Sequence, residues 1–312
     1  MKPLVSCNNL ASRLGIPIAE LMQLAQEIGS HYREWEKTDE KKGKTRNFKV
    51  PDKLLKNVQR RILRNILTDF SLPAGAHGGV KGRSPKTNAE QHLGKSLVVN
   101  IDVRDFFPSV DHRQVAKMFR REFGCGRQTT WLLTRLTTVD GQLPQGAPTS
   151  TMIANILLSA PVDGPTDQLA AEQGVGFTRF VDDITLSGEQ ADTLITDTAK
   201  AISRVDLRTW RKREKLKITP RTRRQEVTGL TVNSSSAPGV PRYKRARIRA
   251  AIHEVKTALP CELKQSLASI RGRLIHLNQF NPGSANRLQR QLDCILKERV
   301  CGELIFTHYH PD

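Results

Sequence analysis

Two adjacent carboxylates, Asp182 and Asp183, sit inside a β-prone run that begins Gly176-Phe177-Thr178-Arg179-Phe180-Val181 and continues Ile184-Thr185-Leu186-Ser187-Gly188. Neighbouring like charges repel, and withdrawing a carboxylate from water is costly unless a cation or hydrogen-bond donors compensate it. The pair therefore belongs either in a solvated turn, where Asp is a common residue, or at a cation site. Side chains of successive strand residues point to opposite faces, so a regular strand cannot aim both acids at one point. A tight hairpin at the pair relaxes that restriction only in part.

A second strand-borne acid lies upstream. Leu97-Val98-Val99-Asn100-Ile101-Asp102-Val103 reads as a buried strand, followed by Arg104-Asp105-Phe106-Phe107-Pro108-Ser109. Phosphoryl transfer by the two-metal route needs carboxylates from separate strands converging on cations roughly 3.5 to 4 Å apart. Mg²⁺ suits such a site because it takes oxygen ligands and keeps positions open for phosphates. On this reading Asp102 and Asp182 are the principal ligands and Asp183 a weaker or outer one. Between them, Leu143-Pro144-Gln145-Gly146-Ala147-Pro148-Thr149-Ser150 opens an apolar helix through Met152, Ile156, Leu157 and Leu158. A helix start favours anions through its free N–H groups and dipole, and Gln145 can hydrogen-bond a base or sugar. Alone, the loop is equally well read as a capped helix.

In order, these three segments resemble the A, B and C motifs of reverse transcriptases: Asp102 with Phe107 five residues on, Leu143 to Gly146, and Phe180 to Asp183. Phe180 stands where that family usually has Tyr, which removes a hydroxyl and keeps the ring. Asn88-Ala89-Glu90-Gln91-His92, Val227-Thr228-Gly229 and the glycine-rich His77 to Ser84, ending Gly82-Arg83-Ser84, narrow the resemblance to the reverse transcriptases of bacterial retrons. Other bacterial lineages, of group II intron or diversity-generating type, share motifs A to C without the first two of these. A non-catalytic RNA-binding protein of the same fold is a further alternative, against which the three intact acids argue.

The resemblance implies an α+β right-hand polymerase: fingers, a palm of antiparallel sheet packed on helices, and a small helical thumb. The expected divisions are 1–96 for N-terminal helices and fingers, 97–233 for the palm with interleaved finger elements, and 234–312 for a linker and thumb. It implies an RNA-directed DNA polymerase holding two Mg²⁺ ions, with Mn²⁺ a substitute, on Asp102, Asp182 and Asp183. Phe107 would exclude a 2′-hydroxyl from the incoming dNTP, Gln145 and Gly146 would touch the nucleotide, and Lys44 and Arg46 would lie over its phosphates. Asn88, His92, Arg83, Lys215, Thr228, Arg245 and Arg249 are the candidate nucleic-acid contacts. Lys215 or Lys217 is a candidate general acid for pyrophosphate. Partners implied are a cognate structured RNA primed from its own 2′-hydroxyl, the branched DNA product, and an associated effector protein in anti-phage defence. At this length an appended nuclease domain is not expected.

Charge agrees. Fifty Lys and Arg against thirty-one Asp and Glu give a formal net charge of +19, which calls for a polyanionic partner. From Arg204 to Arg249 there are fifteen basic residues against three acids, a run that suits a phosphate backbone and binding that weakens with salt. Five cysteines with no Cys-x-x-Cys spacing argue for reduced thiols rather than zinc or a disulfide framework. No apolar stretch reaches 18 residues, so a soluble cytoplasmic protein without membrane partners is expected.

Apolar spacing predicts helix through Leu10, Leu14, Ile18, Leu21 and Leu24, continuing toward Tyr32 and Trp35, then a charged hairpin tip over Glu36 to Arg46. Further helices are expected over Leu54 to Leu67, Ala191 to Val205, Tyr243 to Leu259, Leu263 to Leu277 and Ala285 to Val300. Lys215 and Lys217 read as a basic loop ahead of a strand from Glu226 to Asn233. Ser234 to Pro241 has linker composition, and His308 and His310 fall in a polar tail.

Overall fold

The protein is described from a computed structural model that covers residues 3–39, 44–209 and 216–307. Helices α1 (Cys7–Leu14) and α2 (Ile18–Gln26) bury Leu10, Leu14, Leu21 and Leu24. The helical pattern does not continue to Trp35. From Tyr32 the alternating aromatic, charged and Thr side chains favour extended backbone, and the chain forms β1 (Tyr32–Asp39), paired antiparallel with β2 (Lys44–Pro51). Trp35 lies opposite Phe48, ring centroids 5.2 Å apart. Asp52 caps α3 (Lys53–Asn65), its carboxylate accepting from Leu55 N at 2.8 Å, and the helix buries Leu55, Val58 and Ile62. Ser84 and Thr87 form a reciprocal capping box on α4 (Pro85–Glu90), which has Pro at its first position, where the missing N–H costs nothing.

The central layer follows. It comprises β3 (Leu97–Asp102), a helical turn α5 (Phe106–Ser109), α6 (His112–Phe123), α7 (Arg127–Thr137) and α8 (Ser150–Leu158). The last of these runs through a π-helical turn, Ser159–Asp163, into α9 (Gly164–Glu172). Then come β4 (Gly176–Phe180), β5 (Asp183–Ser187), α10 (Ile195–Ser203) and β6 (Leu216–Pro220). The sheet has the order β4-β5-β3-β6, each neighbour antiparallel. Val99, Ile101, Ile184 and Leu186 are sealed in the larger core on one face, leaving the alternate residues for the other face. The segment read as a basic loop before residue 226 is edge strand β6, with Lys217 opposite Asn100. Lysine is a usual occupant of a sheet edge, where it discourages pairing with another chain.

Beyond it, β7 (Glu226–Val227) and β8 (Leu230–Thr231) form a hairpin, because Thr228 at φ +47 and Gly229 at φ +78 break the strand expected over 226–233. Helices α11 (Arg242–Glu254), α12 (Pro260–Asn278) and α13 (Pro282–Thr307) complete the described residues. A second core joins these helices to the sheet side, Ile248, Ile252, Leu274 and Leu292 packing with Val98, Val227, Leu230 and Val232. The linker-like stretch is docked: Val240 N donates to Asn281 Oδ1 at 2.7 Å, and Thr231 N to Gly239 O at 2.7 Å. The expected α+β arrangement of antiparallel sheet, covering helices and helical C-terminal module is thus observed. Among the described residues no helix is long and apolar enough to cross a membrane. Lys215, His308 and His310 lie outside the described residues.

Candidate active site

The acids meet at the end of the sheet. Phe180 pairs with Asp183, so Val181 and Asp182 form a two-residue turn between β4 and β5. Val181 has φ +61, a left-handed conformation that a β-branched residue adopts at a cost on the order of 1–3 kcal/mol. Several contacts hold it there. Val103 N donates to Asp182 O at 3.1 Å. Gly78 packs so closely that an added Cβ would stand 2.6 Å from Val181 N, so glycine is required at that approach. Asp102, the last residue of β3, lies directly opposite Asp183, and cross-strand partners share a sheet face. Asp183 is therefore the cross-strand neighbour of Asp102, and Asp182 stands beside them in the turn.

Two clefts converge on this point. The first, about 940 Å³, is lined by Asp102, Asp182, Asp183, Phe107, Gln145 and Thr151, and roofed by Glu36, Thr45 and Asn47 of the β1–β2 hairpin. The hairpin is stapled to the loop before α8, Lys49 N donating to Gln145 O at 3.1 Å. Gly146 has φ +124, and an added Cβ there would approach Lys49 O to 3.4 Å. Ser150 Oγ donates to Pro144 O at 2.6 Å and closes the same loop. Phe106 and Phe107 belong to the helical turn α5, Phe106 buried in the core and Phe107 half-buried at the cleft. Lys44 and Arg46 are on β2, with their side chains outside the described part of the structure. Glu36, Thr45, Asn47 and Thr151 were not among the sequence candidates. Strand alternation would have selected Thr45 and Asn47 as one face had the β1–β2 register been known.

The second cleft, about 820 Å³, runs from Asp102 and Asp183 past Asn100, Lys217 and Thr228 to Arg224 and Tyr243. The Arg224 guanidinium lies 4.8 Å from the Tyr243 ring centroid, and that of Arg247 lies 5.6 Å from it. This makes a cationic and aromatic rim on one side of the groove. Arg249 is exposed on the same helix, whereas Arg245 is half-buried, its Nη1 donating to Ser284 Oγ at 3.4 Å.

Three sequence candidates are placed differently from expectation. His92 is fully buried, bonded at 2.7 Å to both Thr178 on β4 and Ser187 on β5. Burial, with smaller contributions from His77 and Lys95, lowers its pKa to about 3, so the ring is neutral. Asn88 is 1 % exposed and its amide has no hydrogen-bond partner among the described residues. Side chains sealed from solvent cannot touch RNA; His92 instead ties β4 to β5, and Asn88 is buried on α4. The Arg83 guanidinium donates to Pro73 O at 2.6 Å and to Ala76 O, closing the glycine-rich loop. Thr228 is half-buried at the groove, its hydroxyl donating to Pro85 O at 3.0 Å.

Among the described residues no group of three or more His, Cys, Asp or Glu side chains is arranged to hold a metal ion by itself. An all-oxygen donor set open on a cleft nevertheless fits Mg²⁺, which is held by one or two carboxylates together with waters and substrate phosphates and not by an all-protein cage.

Residues 36–225 match the family model described as reverse transcriptase (RNA-dependent DNA polymerase). The chain is 32% identical to the retron Mx162 reverse transcriptase of Myxococcus xanthus, over 92% of this chain and 66% of that protein. It is 31% identical to the retron Ec86 reverse transcriptase of Escherichia coli, over 80% of this chain and 78% of that protein. It thus spans about two thirds of the length of the first of these relatives. A telomerase structure from Candida albicans, in complex with a fragment of telomeric RNA, superposes with a TM-score of 0.46 at 11% identity, over 90% of this chain and 68% of that one.

Proposed function

The chain belongs to the reverse transcriptase family, in its retron branch, with the right-hand polymerase fold of that family, and from that premise we propose that it is an RNA-directed DNA polymerase. The observation that carries the reading is the cross-strand pair Asp102 and Asp183, with Asp182 in the adjoining turn, where two clefts meet. The first cleft, with Gln145, Asn47 and Thr45 beside the acids, is the proposed dNTP site, and the second, leading toward Arg224 and Tyr243, the proposed path of primer and template.

In the proposed reaction a primer hydroxyl attacks the α-phosphorus of the dNTP, the new P–O bond forms as the bond from the α-phosphorus to the bridging oxygen breaks, pyrophosphate leaves and the hydroxyl proton passes to solvent. Asp102 and Asp182, with Asp183 as an outer ligand, would hold two Mg²⁺ ions, which supply charge neutralisation at the attacking and leaving oxygens when bound. Phe107, half-buried beside Asp102, is positioned to exclude a 2′-hydroxyl. Gln145 lines the cleft and is the proposed contact to the nucleotide, Gly146 beside it letting the loop pack against Lys49, and Asn47 and Thr45 are further candidates. Lys44 and Arg46 remain proposed phosphate contacts. Lys217 faces the groove from β6 and is the described candidate for assisting the leaving group, beside Lys215. Arg224, Arg247, Arg249 and Thr228 are the proposed contacts to nucleic acid.

The retron relatives and the Asn-Ala-x-x-His and Val-Thr-Gly segments support the finer proposal. The enzyme would copy a cognate structured RNA in the cytoplasm, starting from a 2′-hydroxyl of that RNA, and give branched single-stranded DNA for anti-phage defence with an effector protein. Incubating the purified protein with the RNA encoded beside its gene, Mg²⁺ and labelled dNTPs tests this. DNA joined to RNA through a 2′-5′ branch is the expected product. Extension without a branch removes the retron chemistry, and no extension removes the polymerase.

A further inference from the structure

Behind the acidic turn lies a charged network with no solvent exposure. Arg179, the penultimate residue of β4, is 0 % exposed, as are Asp163 in the π-helical turn and Asn155 on α8. Nε of Arg179 donates to Asp163 Oδ1 at 2.7 Å and Nη2 donates to Asp163 Oδ2 at 2.6 Å, a two-pronged ion pair. Nη1 donates to Asn155 Oδ1 at 2.8 Å and also to the main-chain oxygen of Val181 at 2.9 Å. A longer contact from Nη2 reaches Asn155 O at 3.5 Å. Each of the five guanidinium N–H groups thus has an acceptor. Asn155 extends the network, its Nδ2 donating to Gly78 O at 2.8 Å, and Gly78 is the residue packed against Val181 N.

The Val181 oxygen belongs to the peptide that joins Val181 to Asp182. Fixing that peptide plane fixes the direction in which Asp182 leaves the backbone and the start of β5 at Asp183. The plane needs support, because Val181 occupies a left-handed conformation that its branched side chain disfavours. A buried ion pair alone gives little reason for such a group, since apolar residues of similar volume often replace one without loss of stability. The donor turned to Val181 supplies a reason that burial and packing do not.

We propose that Arg179 is a positioning residue for the acidic hairpin: clamped by Asp163 and Asn155, it locks the Val181–Asp182 peptide and so aims the carboxylates. The inference rests on the reading of those carboxylates as the metal-binding site. It also ties the middle of α8, through Asn155, to the hairpin, so the helix that follows the Gln145 loop and the acids keep a fixed spacing.

The test compares the native enzyme, Asp182→Asn, the paired replacement Arg179→Met with Asp163→Leu, and that pair with Val181→Gly added. Thermal midpoint, RNA affinity, kcat, KM for dNTP and the Mg²⁺ concentration for half-maximal rate are measured for each. The paired replacement should keep the fold and RNA affinity, lose about 10²-fold in kcat, the scale of a 1 Å misplacement, and require more Mg²⁺. Adding Val181→Gly should restore part of kcat, because glycine adopts the left-handed turn without support. Should the paired protein not fold, Arg179→Lys keeps the charge against Asp163 but cannot also reach Val181, and the same loss of kcat is expected. Native kcat and Mg²⁺ requirement in the folded variant, with Asp182→Asn inactive, would overturn the clamp alone. Activity retained in Asp182→Asn would overturn the underlying site and the clamp with it.

Discussion

Asp102 and Asp183 are cross-strand partners, the last residue of β3 standing opposite the first residue of β5. Side chains so paired have Cβ atoms about 4.5–5.5 Å apart, and like charges directly opposite one another destabilise a sheet. A cation held by Asp102 and Asp182, with Asp183 as an outer ligand, lowers that repulsion. Mg²⁺ should therefore stabilise the protein even without nucleic acid, by about 1.4 kcal/mol at ten times its dissociation constant. The expected result is a thermal midpoint that climbs with Mg²⁺ in the native protein and is flat in Asp102→Asn and Asp183→Asn. A native midpoint indifferent to Mg²⁺ would contradict the pairing's role.

Both Phe106 and Phe107 border the cleft that holds the acids, but Phe107 is half-buried there whereas Phe106 is buried in the core. Phe107→Val should raise incorporation of ribonucleotides relative to deoxynucleotides, read as the ratio of kcat/KM for the two. Phe106→Val should instead lower stability by about 1–3 kcal/mol, the cost of a void in a packed core. An unchanged ratio in Phe107→Val would discard the gate.

His92 ties β4 to β5 from inside and stays neutral down to about pH 3, against an ordinary value of 6.5. Between those pH values the unfolded chain binds a proton that the native protein refuses, so stability falls as pH falls through this window. The slope is up to about 1.4 kcal/mol per pH unit. His92→Gln should be less stable near neutrality but lose less between pH 6.5 and pH 4.5, as read from urea midpoints at several pH values. Parallel profiles for the two proteins would show that the ring is not buried neutral.

Arg249 is exposed on α11, while Arg245 on the same helix is engaged with Ser284. If α11 follows a phosphate backbone, Arg249→Ala should reduce the slope of log affinity against log salt by about one. Arg245→Ala should change it less. Equal slopes in Arg249→Ala and the native protein would move the nucleic-acid path off this helix.

The acids, the loop before α8 and the helical C-terminal module were legible in the sequence because each leaves a local signature: charge inside an apolar run, turn formers before a helix, apolar residues at helical spacing. Other features depend on partners remote in the chain. His92 and Asn88 were nucleic-acid candidates through the Asn-Ala-x-x-His resemblance, but Thr178 and Ser187 lie far along the chain and only the folded sheet brings them to His92. Arg179 was one more basic residue in a basic chain until Asp163 and Asn155 enclosed it. Residues 32–39 looked like the end of a helix because short apolar spacings suit both periods, and pairing with β2 decided for the strand. The basic residues before β7 gave no strand signal, since an edge strand needs little apolar character.

Primer extension on an RNA template tests the central claim most directly, comparing native protein with Asp182→Asn at equal RNA binding. The native enzyme should add dNTPs only with a divalent cation present, and Asp182→Asn should lose about 10²–10⁴-fold, the several kcal/mol that metal-assisted charge stabilisation supplies. Extension by Asp182→Asn at the native rate, or none by the native protein on any RNA, would contradict it.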